Sequence, residues 1–432
     1  VTPTARATGG PAQRASRLQV GAWVLYDLAN TVYISTVTFV FTPYAKESLG
    51  GLSSFGVTNF LSMVAAAVLV PLMGALVDTT ARTRGYLTAS TLVCIAALAG
   101  WHLDLGGAWL LALFFVANLA YNVALLFYNA LLPSVAPPER AGRISGVGVG
   151  LGYLGTVLVL ACLLALDAEP RAFFLVAAVM FLVLALPCMA LVRDRRSPAS
   201  AEGAAGAALA EANRRLLNTL RALPSNPPLL WFLVGNFFLV DVLNTAVLYF
   251  ADFTKDVFAD QASAGFTLLG GTFHGQDGVD TFMRIAGLCL NVIAMLVGLA
   301  IGRWTDRAPL GVMRVSAVGL LAALGGGAWF GGVSPLGYLC TLVALGAFGL
   351  TGIWTAGRKV VVLLAPPDQV GQYFGLYGIT VKLSVFGGLL YGLVHDAYGS
   401  KPAMLAQSAQ LLLGLWCLFM VRLPSERAAP TP

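Results

Sequence analysis

Asp27-Leu28-Ala29-Asn30-Thr31 and Asp241-Val242-Leu243-Asn244-Thr245 decide the fold, because each sets a carboxylate inside a long apolar run. A charged side chain near the centre of a membrane helix costs about 2.5–3.5 kcal/mol on insertion scales. Carrying that cost at two matching positions marks a duplicated membrane protein with a polar site between its halves.

Composition agrees. Of 432 residues 58% are hydrophobic and 11% charged, and mean hydropathy is +0.80. Soluble domains carry about a quarter charged residues, so a water-soluble fold is excluded. The 48 glycines lie within apolar runs, where small residues let membrane helices approach closely. Cys94, Cys162, Cys188, Cys289, Cys340 and Cys417 stand singly, without C-x-x-C spacing or a histidine partner. They read as reduced packing residues, and neither metal nor cofactor is expected.

A helix crossing the hydrocarbon needs about 20 apolar residues. That rule predicts spans near 20–44, 55–77, 85–104, 108–133, 144–166 and 171–193, then 228–251, 281–302, 311–332, 335–363, 371–394 and 402–422. The first run is too long for a signal peptide and no cleavage site follows it, so it is expected to remain as a span. Domain limits follow: a disordered cytoplasmic N-terminus (1–17), a six-helix half (18–193), a cytoplasmic linker (194–227), a second half (228–423) and a cytoplasmic tail (424–432). Within the linker, residues 207–223 read as a surface helix with Leu209, Leu216, Leu220 and Leu223 on one side.

The net charge of +6 does not point to nucleic acid, because it is unevenly distributed. With both termini in the cytoplasm, inner loops, helix ends and tails hold most of the 26 basic residues, among them Arg303, Arg314, Arg358 and Lys359. Only Lys46, Arg171, Lys255, Arg284 and Lys401 fall outside, and Lys382 lies within a span. That asymmetry sets the orientation in an inner membrane.

Further echoes support duplication. Gly74-Ala75-Leu76-Val77-Asp78 ends the second span and Gly302-Arg303-Trp304-Thr305-Asp306 the eighth (78 and 306, an offset of 228). Pro137-Pro138 with Gly142 and Gly146 is matched by Pro366-Pro367 with Gly371 and Gly375 (142 and 371, an offset of 229). Two six-helix halves related by an axis along the membrane normal describe an all-α major facilitator fold of 12 helices.

Asp27 and Asn30 share a helix face that continues to Tyr33 or Ile34, and Asp241 and Asn244 do the same in the seventh span. Asn118, Asn122 and Asn129 stripe the fourth span, as substrate contacts or as helix-to-helix glue. Asp27, Asn30, Tyr33, Asn122, Asp241, Asn244 and Tyr377 are the candidate cavity residues. The two aspartates are candidate proton-coupling groups or partners of a cationic solute, since a carboxyl in a low-dielectric cavity exchanges protons in the working pH range. Lys382 is a candidate to neutralise one of them, with snorkelling as the alternative. For gating, Gly74 permits a close crossing while Asp78 and Asp306 cap a neighbouring helix or pair with an arginine; Arg82, Arg84, Arg143 and Arg307 are the candidate partners.

Gly146-Val147-Gly148-Val149-Gly150-Leu151-Gly152 contains G-x-G, but no strand precedes it, so helix packing explains it rather than a dinucleotide. No nucleotide loop or nucleophile elbow occurs, and His102, His274 and His395 are isolated in outer loops, so no enzyme is expected.

Trp23-Val24-Leu25-Tyr26-Asp27-Leu28-Ala29-Asn30-Thr31, running on to Phe39-Val40-Phe41-Thr42-Pro43-Tyr44, resembles the opening of the vacuole-effluxer-like branch of the major facilitators. That branch includes the yeast autophagy-related vacuolar amino-acid exporters. Tyr128-Asn129-Ala130-Leu131-Leu132-Pro133 with Gly142-Arg143-Ile144-Ser145-Gly146, and Phe374-Gly375-Leu376-Tyr377 with Lys382, Ser384 and Gly387, extend the resemblance into both halves. Where the branch has Ser-Arg-Ser in the tenth span, this chain has Gly357-Arg358-Lys359. The resemblance implies export or uptake of small polar solutes such as amino acids. The expectation is a monomeric secondary transporter in a lipid bilayer, working by alternating access on a small molecule with protons as the candidate coupling ion. Its rivals are an uncoupled facilitator, a drug exporter, and a non-transporting sensor or lipid scramblase on the same fold.

Overall fold

The structure, a computed structural model, describes residues 15–49, 53–103, 106–166, 169–194, 205–384 and 386–423. The expectations for residues 1–14, 195–204 and 424–432, which include the disordered N-terminus and the tail, lie outside the described residues. Among the described residues and apart from the linker helix, twelve long helices follow in chain order: α1 (Arg17–Ala45), α2 (Ser54–Thr80), α3 (Thr83–Gly100), α4 (Gly107–Val135), α5 (Pro138–Leu163), α6 (Pro170–Leu191), α7 (Pro227–Leu248), α8 (Gly275–Arg307), α9 (Pro309–Phe330), α10 (Pro335–Leu364), α11 (Val370–Tyr398) and α12 (Ser400–Met420). Eleven are long and apolar enough to cross a membrane; α3, with Arg84 in its first turn, is the short twelfth at 18 residues. The protein is a multi-pass membrane protein.

Local chemistry sets several of the ends. Ser16 and Gln19 close a reciprocal capping box before α1, at 3.2 and 3.0 Å. Asn226 caps α7, where Pro227 and Pro228 fill positions whose amides have no helical acceptor. On the outside of the bundle, Val57, Phe60, Leu61, Val64 and Val68 of α2 and Leu288, Val292, Leu296 and Leu299 of α8 are exposed, an apolar surface of the kind lipid covers.

The two halves repeat one packing scheme. α1 lies on α5 and α6 as α7 lies on α11 and α12, α2 packs on α4 as α8 packs on α10, and α3 packs on α4 as α9 packs on α10. Between halves, α2 meets α11 and α5 meets α8. Glycines make both crossings. A side-chain carbon at Gly371 would lie 2.5 Å from the Gly74 carbonyl, and one at Gly298 would lie 2.5 Å from the Gly150 Cα. Along α5, Gly146 and Gly150 face α8, whereas Gly148, Gly152 and Gly155 face α1, so the glycine run packs two helices at once. These inter-half approaches lie toward the ends of the helices that carry Arg82, Arg140, Arg143 and Arg307, hereafter the basic face.

Three expectations change. The connection 252–280 is not a plain loop. It contains a helix Phe250–Phe258, a turn of helix Gln261–Ala264 and a hairpin pairing Phe266–Leu268 with Gly271–Phe273, and α8 starts at Gly275 rather than near 281. Phe258 packs against Phe266 and Phe282 with tilted rings, 5.3 and 4.7 Å between centres, and this aromatic core is what three-residue strands could not announce by alternation. Second, α11 is broken: Val370–Leu383 ends before Ser384, and Phe386–Tyr398 begins anew. Third, His395 is not isolated, since its Nε2 lies 3.2 Å from Asp256. The predicted linker helix forms over Ala205–Ala222 and packs against α2.

Candidate functional site

Asp27 stands about three turns into α1 and is 7% exposed. Its carboxylate is gripped by Arg358 of α10, which donates from Nη1 at 2.8 Å and Nη2 at 3.2 Å. Such a bidentate pair is the strong geometry for guanidinium and carboxylate. It joins the two halves. Sequence analysis assigned Arg358 and Lys359 to inner loops or helix ends; both are buried, at 7% and 1% exposure. The missed signal is positional: Arg358 lies six residues inside the end of α10, within the apolar run, where a solvated end residue would not sit.

Aromatic rings hold the pair in place. Trp23 donates its indole N–H to the Tyr128 carbonyl at 3.0 Å and stacks on the Tyr128 ring at 4.4 Å. The Arg358 guanidinium lies 5.4 Å from the centre of Tyr128 and 6.0 Å from that of Trp23, within cation–π range. Gly148 of α5 makes the room, since a side-chain carbon there would lie 3.1 Å from Asp27 Oδ2 and 3.3 Å from the Tyr128 hydroxyl. The second half inverts this pairing: Gly357 of α10 leaves space for the Tyr377 hydroxyl of α11, 3.0 Å from where a side-chain carbon would be. Tyr128 and Gly357, and Gly148 and Tyr377, are repeat-related (128 and 357, 148 and 377, each offset by 229).

Asn30 is buried, and among the described residues neither side-chain atom finds a hydrogen-bond partner; the same holds for the hydroxyls of Tyr377 and Thr355, while the Tyr128 hydroxyl faces the Asp27 carboxylate. Buried polar atoms are paired in more than about 90% of cases, which makes this group a candidate for contacts with a solute or water. Tyr33 lies elsewhere, stacked on Tyr121 at 4.6 Å and tilted toward Trp101 inside the first half. Asn118 donates to Ser62 at 2.7 Å and to Asn59 at 3.3 Å, so it fastens α4 to α2. Asn122 donates to the Asn118 carbonyl at 2.7 Å, and its own Oδ1 is left unpaired.

Asp241 repeats the first string in detail. Thr31 donates to the Asp27 carbonyl at 3.1 Å and Thr245 to the Asp241 carbonyl at 2.8 Å. Gly155 of α5 packs on Thr31 as Gly387 of α11 packs on Thr245. The charges are then treated differently. The position related to Arg358 in the first half is Asn129 (129 and 358, offset by 229), so Asp241 has no matching guanidinium. Asn244 is exposed and does not share the buried setting of Asp241. Lys382 does not neutralise either aspartate, since among the described residues no ion pair joins it to them. It lies buried in the last turn before the α11 break.

At the basic face the gating candidates form a pseudo-symmetric set. Asp78 accepts the Gly371 and Gln372 amides at 2.9 and 2.7 Å, capping α11 from the opposite half. Asp306 accepts the Gly142 amide of α5 at 2.7 Å, also across halves, and lies 3.5 Å from Lys359. A carboxylate at a helix N-terminus stabilises by about 0.3–1 kcal/mol, more when partly buried. Arg84 turns away from Asp78: its amide donates to Asp194 at 2.8 Å and its guanidinium to the Ala190 carbonyl at 3.3 Å. Arg82, Arg143 and Arg307 are exposed at this face. Gln372 also donates to the Arg215 carbonyl at 3.0 Å, tying the linker helix to the same corner.

Comparison with known proteins places these features. The Major Facilitator Superfamily profile matches residues 28–381. The chain is 23% identical to "Uncharacterized MFS-type transporter YxiO" of Bacillus subtilis (strain 168), over 93% of this chain and 94% of that protein. It is 28% identical to Autophagy-related protein 22-1 of Aspergillus niger, over 65% of this chain and 47% of that protein. Among solved structures, the human organic anion transporter MFSD10 (TETRAN) superposes with a TM-score of 0.71 at 17% identity, over 93% of this chain and 99% of that one.

Proposed function

The chain belongs to the Major Facilitator Superfamily, and on that premise we propose that it is a secondary transporter which moves a small carboxylate-bearing solute, such as an amino acid, by alternating access. The observation that carries this reading is the buried Asp27–Arg358 pair between the halves. Halves that part at this point leave two buried charges unpaired, and removing one partner of a buried pair costs about 3–5 kcal/mol. A solute carboxylate on Arg358 and a proton on Asp27 together remove that cost. The site then cycles between an internal pair and a loaded, protonated state. Asn30, Tyr128, Thr355 and Tyr377 supply neutral polar contacts around it.

Two further features support the reading. On α1, exposure returns along the face of Asp27, where Thr31 is half-buried while Ile34 and Thr38 are exposed, and we read this face as the approach from the side opposite the basic face. The Asp78 and Asp306 caps act as latches that keep the basic face shut. We place that face in the cytoplasm, from the excess of Lys and Arg, and take the protein to act as a monomer in the inner membrane.

A thermal-shift screen of the purified protein against amino acids, other small carboxylates, sugars and nucleosides tests the substrate class. Stabilisation by a carboxylate, abolished in Arg358→Gln, is the expected result. Stabilisation by sugars or nucleosides alone, or a carboxylate shift that survives Arg358→Gln, would refute it.

A further inference from the structure

We propose that the second half binds a sodium ion on Asp241, beside the break in α11. Asp241 is 0% exposed, and by distance and angle neither carboxylate oxygen closes a hydrogen bond among the described residues. The Phe386 and Gly387 amides and the Gln410 side chain face it without completing one. A carboxylate offers about four lone-pair sites, so these three donors do not exhaust it.

The surrounding side chains also add acceptors. Gln407 is 0% exposed and gives its amide N–H to the Gly387 carbonyl at 3.0 Å. That bond fixes which way the amide points and leaves Oε1 buried and unpaired; Gln410 Oε1 is unpaired as well. Gln407 Oε1 and the Asp241 carbonyl converge on Gly387, at 2.9 and 3.1 Å from where a side-chain carbon would be. The Thr245 hydroxyl joins them. Four unpaired acceptor oxygens on three side chains, one of them a charged carboxylate, are the donor set of a hard cation, which takes oxygen ligands. A proton would satisfy one of the four.

The repeat gives the reason for an exchangeable charge. Asp27 has a built-in guanidinium, whereas the related cation is replaced by Asn129 and no ion pair reaches Asp241 among the described residues. Only the use of the ion rests on the transport reading; its binding stands alone.

The test measures thermal stability of the intact protein in sodium chloride against choline chloride, at constant pH and ionic strength, together with equilibrium binding of radioactive sodium. A saturable sodium-specific rise in melting temperature is expected in the parent protein and in a surface control, Asp260→Asn. It should vanish in both Asp241→Asn and Gln407→Leu. The readout is the sodium-dependent increment, so a variant with altered basal stability remains informative, and bound radioactivity reads the site directly. The proposal falls if the parent shows neither increment nor binding, or if both survive the two substitutions. Stability that follows pH, becomes flat in Asp241→Asn and ignores sodium would overturn it in favour of a proton.

Discussion

Arg358 and Asp27, 331 residues apart, meet through two parallel hydrogen bonds across the boundary between the halves. The pair is buried beneath Trp23 and Tyr128. In so low a dielectric its two members are interdependent. Together they are tolerated, while either alone is an uncompensated charge.

The first prediction is a double-mutant cycle. Arg358→Gln leaves Asp27 buried without its cation and should destabilise the protein by about 3–5 kcal/mol. Asp27→Asn/Arg358→Gln should recover most of that loss while transport stays absent. Denaturant or thermal unfolding checks it; additive effects of the two substitutions would show that the pair does not act as a unit.

Asp78 and Asp306 cap helices of the opposite half. Asp78→Asn and Asp306→Asn weaken a carboxylate contact to helix N-terminal amides, each by about 0.3–1 kcal/mol. The basic face should then open more often. Ser145 is fully buried near Thr355 at the seam, so a Ser145→Cys reporter should be labelled faster by a maleimide in each variant, and fastest in the double variant. Unchanged labelling would remove the latch role.

Gly298 tests the same seam without charge. A methyl there meets Gly150 Cα at 2.5 Å and Gly150 N at 2.7 Å, and backbone atoms do not swing aside as a side chain does. Gly298→Ala should hold α5 and α8 apart. Faster Ser145→Cys labelling with little change in helix content is the expected outcome, and a parent-like rate would show that the crossing relaxes.

The linker helix provides a pH dependence outside the membrane spans. Arg215 and Arg214 hold the Glu211 carboxyl below its ordinary value. A carboxyl depressed in the folded state contributes stability that is present above its ordinary pKa and is lost as pH falls through the folded value. Hydrogen-exchange protection of residues 210–222, corrected for the intrinsic rate, should therefore fall in the acid range. It should fall less at high salt, which screens the pair. Glu211→Gln should flatten that profile; an unchanged profile would assign it to another group.

Much of the architecture was legible in the sequence because membrane spans are written as long apolar runs and duplication leaves echoes. Twelve helices, the linker helix and the Asp78 and Asp306 pairing positions follow from those two signals. The α11 break was hidden, since a single Lys382 does not divide an apolar run of that length, and helix continuity depends on backbone bonds that composition does not show. The partner of Asp27 was hidden for another reason. Arg358 lies near a helix end, where arginine is ordinarily solvated, and its burial depends on the inverted Tyr128/Gly148 and Gly357/Tyr377 pairs that create room in three dimensions. Asp241 looked equivalent to Asp27 because their strings match, and the replacement of a cation by Asn129 lies on another helix, outside either string.

Proton-driven solute accumulation in proteoliposomes is the most direct measurement, with parent protein and Asp27→Asn compared at equal reconstitution and loaded with the solute found by thermal shift. The parent should accumulate the solute against its gradient when a pH gradient is imposed. Asp27→Asn should lose that accumulation and retain solute exchange. Equal pH-driven accumulation by the two proteins would contradict the account.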